Sequence, residues 1–185
     1  MARRKNLAAL PWKTLSSREI YRNRWLSLRE DKVMLPNGKN SVYGVVTCSQ
    51  CVGVLPFVDS KTVLLVGQYR YIAKQFMWEM PTGGVHPGEK IKGAAQRELA
   101  EETGHKAGKL TPLLAFHSSK SVMDETAHLF VGENLRKAGL KPDDTEFIQT
   151  KEFPFDKVLK MVLSGEIKDA MTVIAVLAAA QVKGA

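Results

Sequence analysis

"MPTGGVHPGEKIKGAAQRELAEETGHK", residues 80–106, carries glutamates at 89, 98, 101 and 102 and two doublets, Gly83-Gly84 and Glu101-Glu102, in a chain of formal net charge +8. Advancing about 100° per residue from Ile91 places Ala94 and Ala95 within about 60° of it, the start of an apolar stripe on a helix. The same stripe continues through Glu98, Glu102 and Glu101, with Leu99 at its edge. The acids therefore replace the buried face in the last two turns. Carboxylates turned inward at that spacing repel and raise one another's pKa unless a cation lies among them. Oxygen-only ligands select Mg²⁺, with Mn²⁺ as the alternative, over zinc. The competing reading is a helix end that peels from the core into water. Gly83, Gly84 and the Pro87-Gly88 turn oppose it, because they let backbone bend sharply and approach a ligand closely.

Around this stretch the chain reads as mixed α and β. An N-terminal tail leads to a strand over 24–35, closed by the turn "PNGK" at 36–39. Strands follow at 41–48, 51–58 and 62–70. The helix runs over 89–103, with Gly104 as its C-terminal cap. Strands at 110–118, 126–132 and 146–153 come next, and helices at 155–163 and 168–182 close the chain. That order predicts an α+β class, an α/β/α sandwich with an N-terminal β extension. The boundaries drawn are 1–45 for the extension and 46–185 for the main domain.

Composition narrows the partners. At 185 residues, with 44% hydrophobic and 25% charged residues, the chain is long enough to bury a substantial core. No apolar run reaches the ~18 residues of a membrane span, and "MARRKNLAALPWK" has no apolar segment of the signal-peptide type. The expected location is the cytoplasm, with no membrane partner. The charge of +8 suits an anionic partner. Charge alone does not choose among nucleic acid, an acidic membrane and a phosphorylated small molecule; the basic residues are spread along the chain, and no run of them interleaved with aromatics marks a single-strand binding platform. Cys48 and Cys51 form a lone C-x-x-C between two β-rich runs rather than at a helix N-terminus, and they read as inert.

The spacing within 83–105 resembles the Nudix box, G-x5-E-x7-R-E-U-x-E-E-x-G-U, where U is aliphatic. Gly83, Glu89, Arg97, Glu98, Leu99, Glu101, Glu102 and Gly104 meet it, and His105 departs from the last position. The preceding "VLLVGQYRYIAKQFMWEMPTGG" resembles the subgroup that cleaves nucleoside diphosphate sugars, the ADP-ribose pyrophosphatases and their GDP-mannose-cleaving relatives. Gln68, Tyr69, Arg70, Glu79 and Pro81 carry that likeness.

The resemblance implies hydrolysis of the pyrophosphate bond of ADP-ribose or GDP-mannose to a nucleoside monophosphate and a sugar phosphate. It implies metal ligands at Glu98, Glu101, Glu102 and the carbonyl of Thr82, with Arg97 and Glu101 in the catalytic set. Arg70 and Glu79 would serve the substrate, and Trp25 or Tyr43 would stack on its base. A catalytic base is implied in the segment "KPDDTEFIQ", with Glu146 first and Asp144 second; Asp124 and Glu125 are the other candidates. A homodimer built through the N-terminal region is implied as well. Lys120 stands where ADP-ribose hydrolases carry a proline, and Gly44 stands beside Tyr43 where adenine-selective relatives are acidic, so a broad sugar-nucleotide range fits best. Two other readings stay open: an RNA 5′-end or nucleoside triphosphate pyrophosphohydrolase, and a binding module that retains the fold without catalysis.

Overall fold

A computed structural model describes residues 10–138 and 147–183. The chain forms two compact units, one of residues up to Ser49 with His117–Glu125, the other of Gln50–Phe116 with the residues from Thr126 onward. The first unit therefore runs four residues past the boundary drawn from sequence and recruits a segment from the middle of the chain.

The first unit is a four-stranded sheet. β1 (Lys13–Arg22), β2 (Leu26–Met34) and β3 (Asn40–Cys48) form an antiparallel meander, and the short β9 (Met123–Asp124) joins β3 in parallel. β1 lies in the stretch read from sequence as a tail. Every one of its residues is exposed, and register shifts at Thr14/Ser16 and Glu19/Tyr21 break its alternation. β2 buries Asp31 and Val33. Asp31 draws the sheet together, accepting from Ser17 Oγ on β1 at 2.6 Å and from Arg29 Nε at 3.2 Å, while Arg29 Nη1 donates to Thr47 on β3 at 2.9 Å.

The second unit holds two sheets. β7 (Thr82–Gly84), β4 (Cys51–Pro56), β10 (Thr126–Lys137) and β8 (His105–His117) form one, with β4 and β10 parallel; β11 (Gln149–Pro154), β5 (Thr62–Arg70) and β6 (Gln75–Glu79) form the other. Alternation on β4 sorts the core. Val52 and Val54 pack with Ala94, Ala95 and Leu99 of α1 (Ile91–Thr103), whereas Leu55 joins Val63, Leu65 and Leu129 against α2 (Phe155–Leu163) and α3 (Ala170–Lys183). The β4–β10 sheet is thus covered by α1 on one face and by α2 and α3 on the other. This is the sandwich expected from sequence. Among the described residues no helix is long and apolar enough to cross a membrane.

Helix α1 ends where its sequence says it should. Gly104 adopts φ 69°, and its amide donates to the carbonyl of Ala100. A left-handed residue there costs glycine nothing and frees the chain to turn into β8.

Candidate active site

The site is assembled from β7, α1 and the β5–β6 hairpin, all in the second unit. The stripe on α1 continues as sequence predicts: Ala94, Ala95, Glu98, Leu99 and Glu102 are all buried, with Glu98 8% and Glu102 4% exposed. Glu101, expected on the same stripe, lies at its edge instead, one position off the face that Glu98 and Glu102 share, with its side chain 36% exposed. The acids occupy the inward face of the helix, and the peeled-helix reading fails.

What they face is the backbone of β7. A Cβ built on Gly83 would coincide with the Glu98 carboxylate, so glycine is needed there to admit it. The amide of Thr82 donates to Glu102 Oε2 at 3.1 Å. The strand itself is short and borrows its hydrogen bonds from β4, pairing Thr82 with Gly53, Gly83 with Val52 and Gly84 with Cys51.

Arg97 organises the carboxylates. Its Nε donates to Glu89 Oε1 at 3.1 Å, and Nη2 donates to Glu89 Oε2 at 3.0 Å and to the Gly84 carbonyl at 2.8 Å. Nη1 donates to Glu98 Oε1 at 2.7 Å and to Glu101 Oε2 at 2.9 Å. A guanidinium has five N–H donors, and all of them are engaged. The Glu89 hydrogen bonds are the first cause holding the Arg97 pKa far above its ordinary value; the same contact lowers that of Glu89. The Arg97–Glu101 pair joins residues one helical turn apart, a spacing visible in the sequence. The fork to Glu89 and the bond to Gly84 were not read there, since they close a loop rather than one helical turn.

Arg70 and Glu79 face each other across the hairpin, Nε to Oε1 at 2.7 Å. They share one face of the β5–β6 pair, whose register sets Val66 opposite Glu79 and Arg70 opposite Gln75. Glu79 is 3% exposed. Burial raises its pKa, and the hydrogen bond and charge of Arg70 oppose that rise. Burial also works to lower the Arg70 pKa, but Glu79, Glu102 and Asp169 outweigh it and leave Arg70 raised. Asp169 had no place in the sequence reading, and neither did its partner Thr172. The signal was present: "DAMT" at 169–172 is an N-cap acid three residues before a hydroxyl, at the mouth of a helix.

Glu146 and Asp144 lie outside the described residues. Trp25, Tyr43, Asp124 and Glu125 belong to the first unit. Trp25 is 66% exposed at the β1–β2 turn, with the Arg24 guanidinium 4.1 Å over its ring. Tyr43 meets Trp12 edge to face at 5.7 Å, beside a recess of about 300 Å³ lined by Trp12, Asp31, Val33 and Tyr43. Glu125 accepts a hydrogen bond from the Cys48 thiol at 3.5 Å, and burial pushes that thiol up to about 11, with Glu125 adding to the rise. Neither Cys48 nor Cys51 is in a disulfide, and a thiol shifted as that of Cys48 is a poor nucleophile.

The donor set of Glu98, Glu101, Glu102 and β7 backbone is all oxygen and fits a hard divalent cation. Among the described residues no three His, Cys, Asp or Glu side chains form a closed metal cage. Arg97 draws Glu101 and one oxygen of Glu98 to itself. An ion here would complete its shell with water and ligand oxygens, as magnesium commonly does.

Residues 49–172 match the NUDIX domain, and residues 12–46 match the nucleoside diphosphate sugar hydrolase N-terminal domain. The chain is 35% identical to the ADP-ribose pyrophosphatase of Bacillus subtilis (strain 168), over 92% of this chain and 93% of that one. It is 34% identical to the methanol dehydrogenase activator of Bacillus methanolicus, over 89% and 90%. A crystal structure of an ADP compounds hydrolase superposes with TM-score 0.85 at 24% identity, covering 95% of this chain and 96% of that one, which shows the fold. With the NUDIX model matched over most of the chain and the box met at every fixed position but His105, the chain belongs to the Nudix hydrolase family.

Proposed function

We propose that this chain hydrolyses the pyrophosphate bond of nucleoside diphosphate sugars, ADP-ribose and GDP-mannose among them, with Mg²⁺ or Mn²⁺ as its metal. The observation that carries the reading is the Arg70–Glu79 pair, set directly ahead of the box at 2.7 Å. Glu79 fixes the Nε side of a guanidinium that remains 41% exposed, a fork suited to a phosphate oxygen. The match of residues 12–46 to the N-terminal domain of nucleoside diphosphate sugar hydrolases supports the same substrate class.

Glu98, Glu102 and Glu101 would hold the metal, together with the carbonyl of Thr82. When bound, a divalent ion neutralises the diphosphate and makes water a better nucleophile. Arg97 touches no substrate in this reading; it orients Glu98 and Glu101 and fixes the Gly84 carbonyl. Arg70 binds a phosphate. A carboxylate accepts the proton of the attacking water, and Glu146 is our assignment for it. The products are a nucleoside monophosphate and a sugar phosphate.

The first unit would supply the base site and the dimer contact, with Trp25 and Tyr43 as stacking surfaces. β1 is exposed along its whole length, including Leu15, Ile20 and Tyr21, and such a strand is a ready surface for a second copy of the chain.

The test is a panel of sugar nucleotides, nucleoside triphosphates and 5′-triphosphate RNA, assayed with Mg²⁺ and with products identified by mass. Cleavage of diphosphate sugars with the highest kcat/KM, and ¹⁸O from water on one product phosphate, is the expected result. Preferential release of inorganic pyrophosphate from triphosphates would refute the reading. Absence of turnover on every substrate would leave the binding-module alternative.

A further inference from the structure

The backbone run that opens the box is pinned residue by residue, and its first anchor comes from α3. Met80 is fully buried, and its amide donates to Thr172 Oγ1 at 3.0 Å. Thr172 is fully buried too, and its hydroxyl donates to Asp169 Oδ2 at 2.6 Å. The same oxygen accepts the Thr172 amide at 2.8 Å, and the Asp169 carbonyl accepts from Val173 at 2.9 Å, so Asp169 caps the helix. A hydroxyl has a single proton. With that proton committed to Asp169, the lone pairs of Thr172 are left to receive Met80.

The residues that follow Met80 are tied in sequence. The Pro81 carbonyl accepts from Val54 at 3.0 Å, the Thr82 amide reaches Glu102, and the Gly84 carbonyl receives Arg97. Only the Met80 tie comes from outside the box and its own sheet.

We propose that Thr172, oriented by Asp169, is a positioning residue for the Nudix reaction: its buried hydroxyl sets the path of residues 80–84 and thereby where the β7 backbone meets Glu98 and Glu102. Burial of an apolar isostere at 172 would leave the Met80 amide without its acceptor, and the strand would shift to find another. Asp169 also contributes negative charge around both Arg70 and Glu79, so one carboxylate serves the strand and the hairpin together.

The inference rests on the reading that the box acids hold the divalent ion. It is tested by Mn²⁺ binding to the substrate-free protein, followed by electron paramagnetic resonance, alongside kcat and KM for a diphosphate sugar. Thr172→Val should weaken Mn²⁺ binding by about 10-fold or more, the range for groups that orient metal ligands. It should lower kcat with little change in KM, and Thr172→Ser, which keeps the hydroxyl, should restore both. Should Thr172→Val fail to fold, Asp169→Ala, which keeps the hydroxyl but removes its acceptor, must show the same two losses. Wild-type Mn²⁺ affinity and kcat in a folded Thr172→Val, or in Asp169→Ala if that variant stands in, would overturn the proposal. Glu98→Gln is the control: if it binds Mn²⁺ as tightly as wild type, the metal assignment itself fails, a result distinct from a failure at Thr172 alone.

Discussion

The Glu98 carboxylate occupies the space that a side chain at Gly83 would fill. A helix and a strand are brought into contact there by the absence of one carbon atom. Gly83→Ala forces the contact apart, and what must yield is the tip of a flexible side chain rather than backbone. The cost in stability should fall at the low end of the ~1–3 kcal/mol for overpacking. The cost in turnover should be larger, about 10²-fold, because the carboxylate proposed to hold the metal is displaced by the order of an ångström. Calorimetry and kcat on the same preparation would check the split. A large loss of stability with unchanged kcat would contradict it.

Arg97→Lys keeps the positive charge and loses the fork. An ammonium has three donors, against the five bonds Arg97 makes to Glu89, Glu98, Glu101 and Gly84. At least two acceptors lose their partner, so stability should drop by about 1–3 kcal/mol, visible in urea unfolding. Divalent-ion affinity should fall with it, since Glu98 and Glu101 lose their common anchor.

Glu79 gives a pH dependence of unusual sign. Burial raises its pKa in the folded chain from the ordinary 4.5. Between that value and the raised one the native state binds more protons than the unfolded state, so stability falls as the pH rises. The contribution is fully present below pH 4.5 and lost as the pH passes the folded value. Glu79→Gln removes this slope, so wild type should lose ground to the variant as the pH climbs. Denaturation midpoints across pH 4–8 would check it; parallel profiles would count against the buried-carboxylate account.

Cys48 should label slowly. With its thiol pushed up from 9.0 to about 11, the reactive thiolate below pH 9 is about 100-fold scarcer than for an unshifted group. In a Cys51→Ala background, alkylation should rise about tenfold per pH unit until near pH 11. Rapid modification at pH 7 would contradict the burial of this thiol beside Glu125.

Much of the candidate site was legible because its information is local. The helix expected over 89–103, which starts two residues later at Ile91, its Gly104 cap and the inward turn of Glu98 and Glu102 follow from a period of 3.6 and from fixed spacings. Strands β3, β4 and β5 announced themselves by runs of branched residues. β1 did not, because it is exposed on both faces and its bulges erase the alternation that marks a half-buried strand. β7 was missed for another reason: residues 82–84 contain two glycines, and the strand takes its pairing from β4. The Thr172–Met80 bond spans 92 positions in the chain, and no periodicity reports such a tie.

The engagement of every Arg97 donor has a consequence for how this chain could change over time. A guanidinium with nothing left to offer cannot also grip a ligand, so recognition falls to other groups, the role proposed above for Arg70. Mutations can then retune which molecules are accepted without disturbing the scaffold that performs the chemistry. The two properties are inherited separately, and a lineage built this way can explore new substrates while its reaction stays the same.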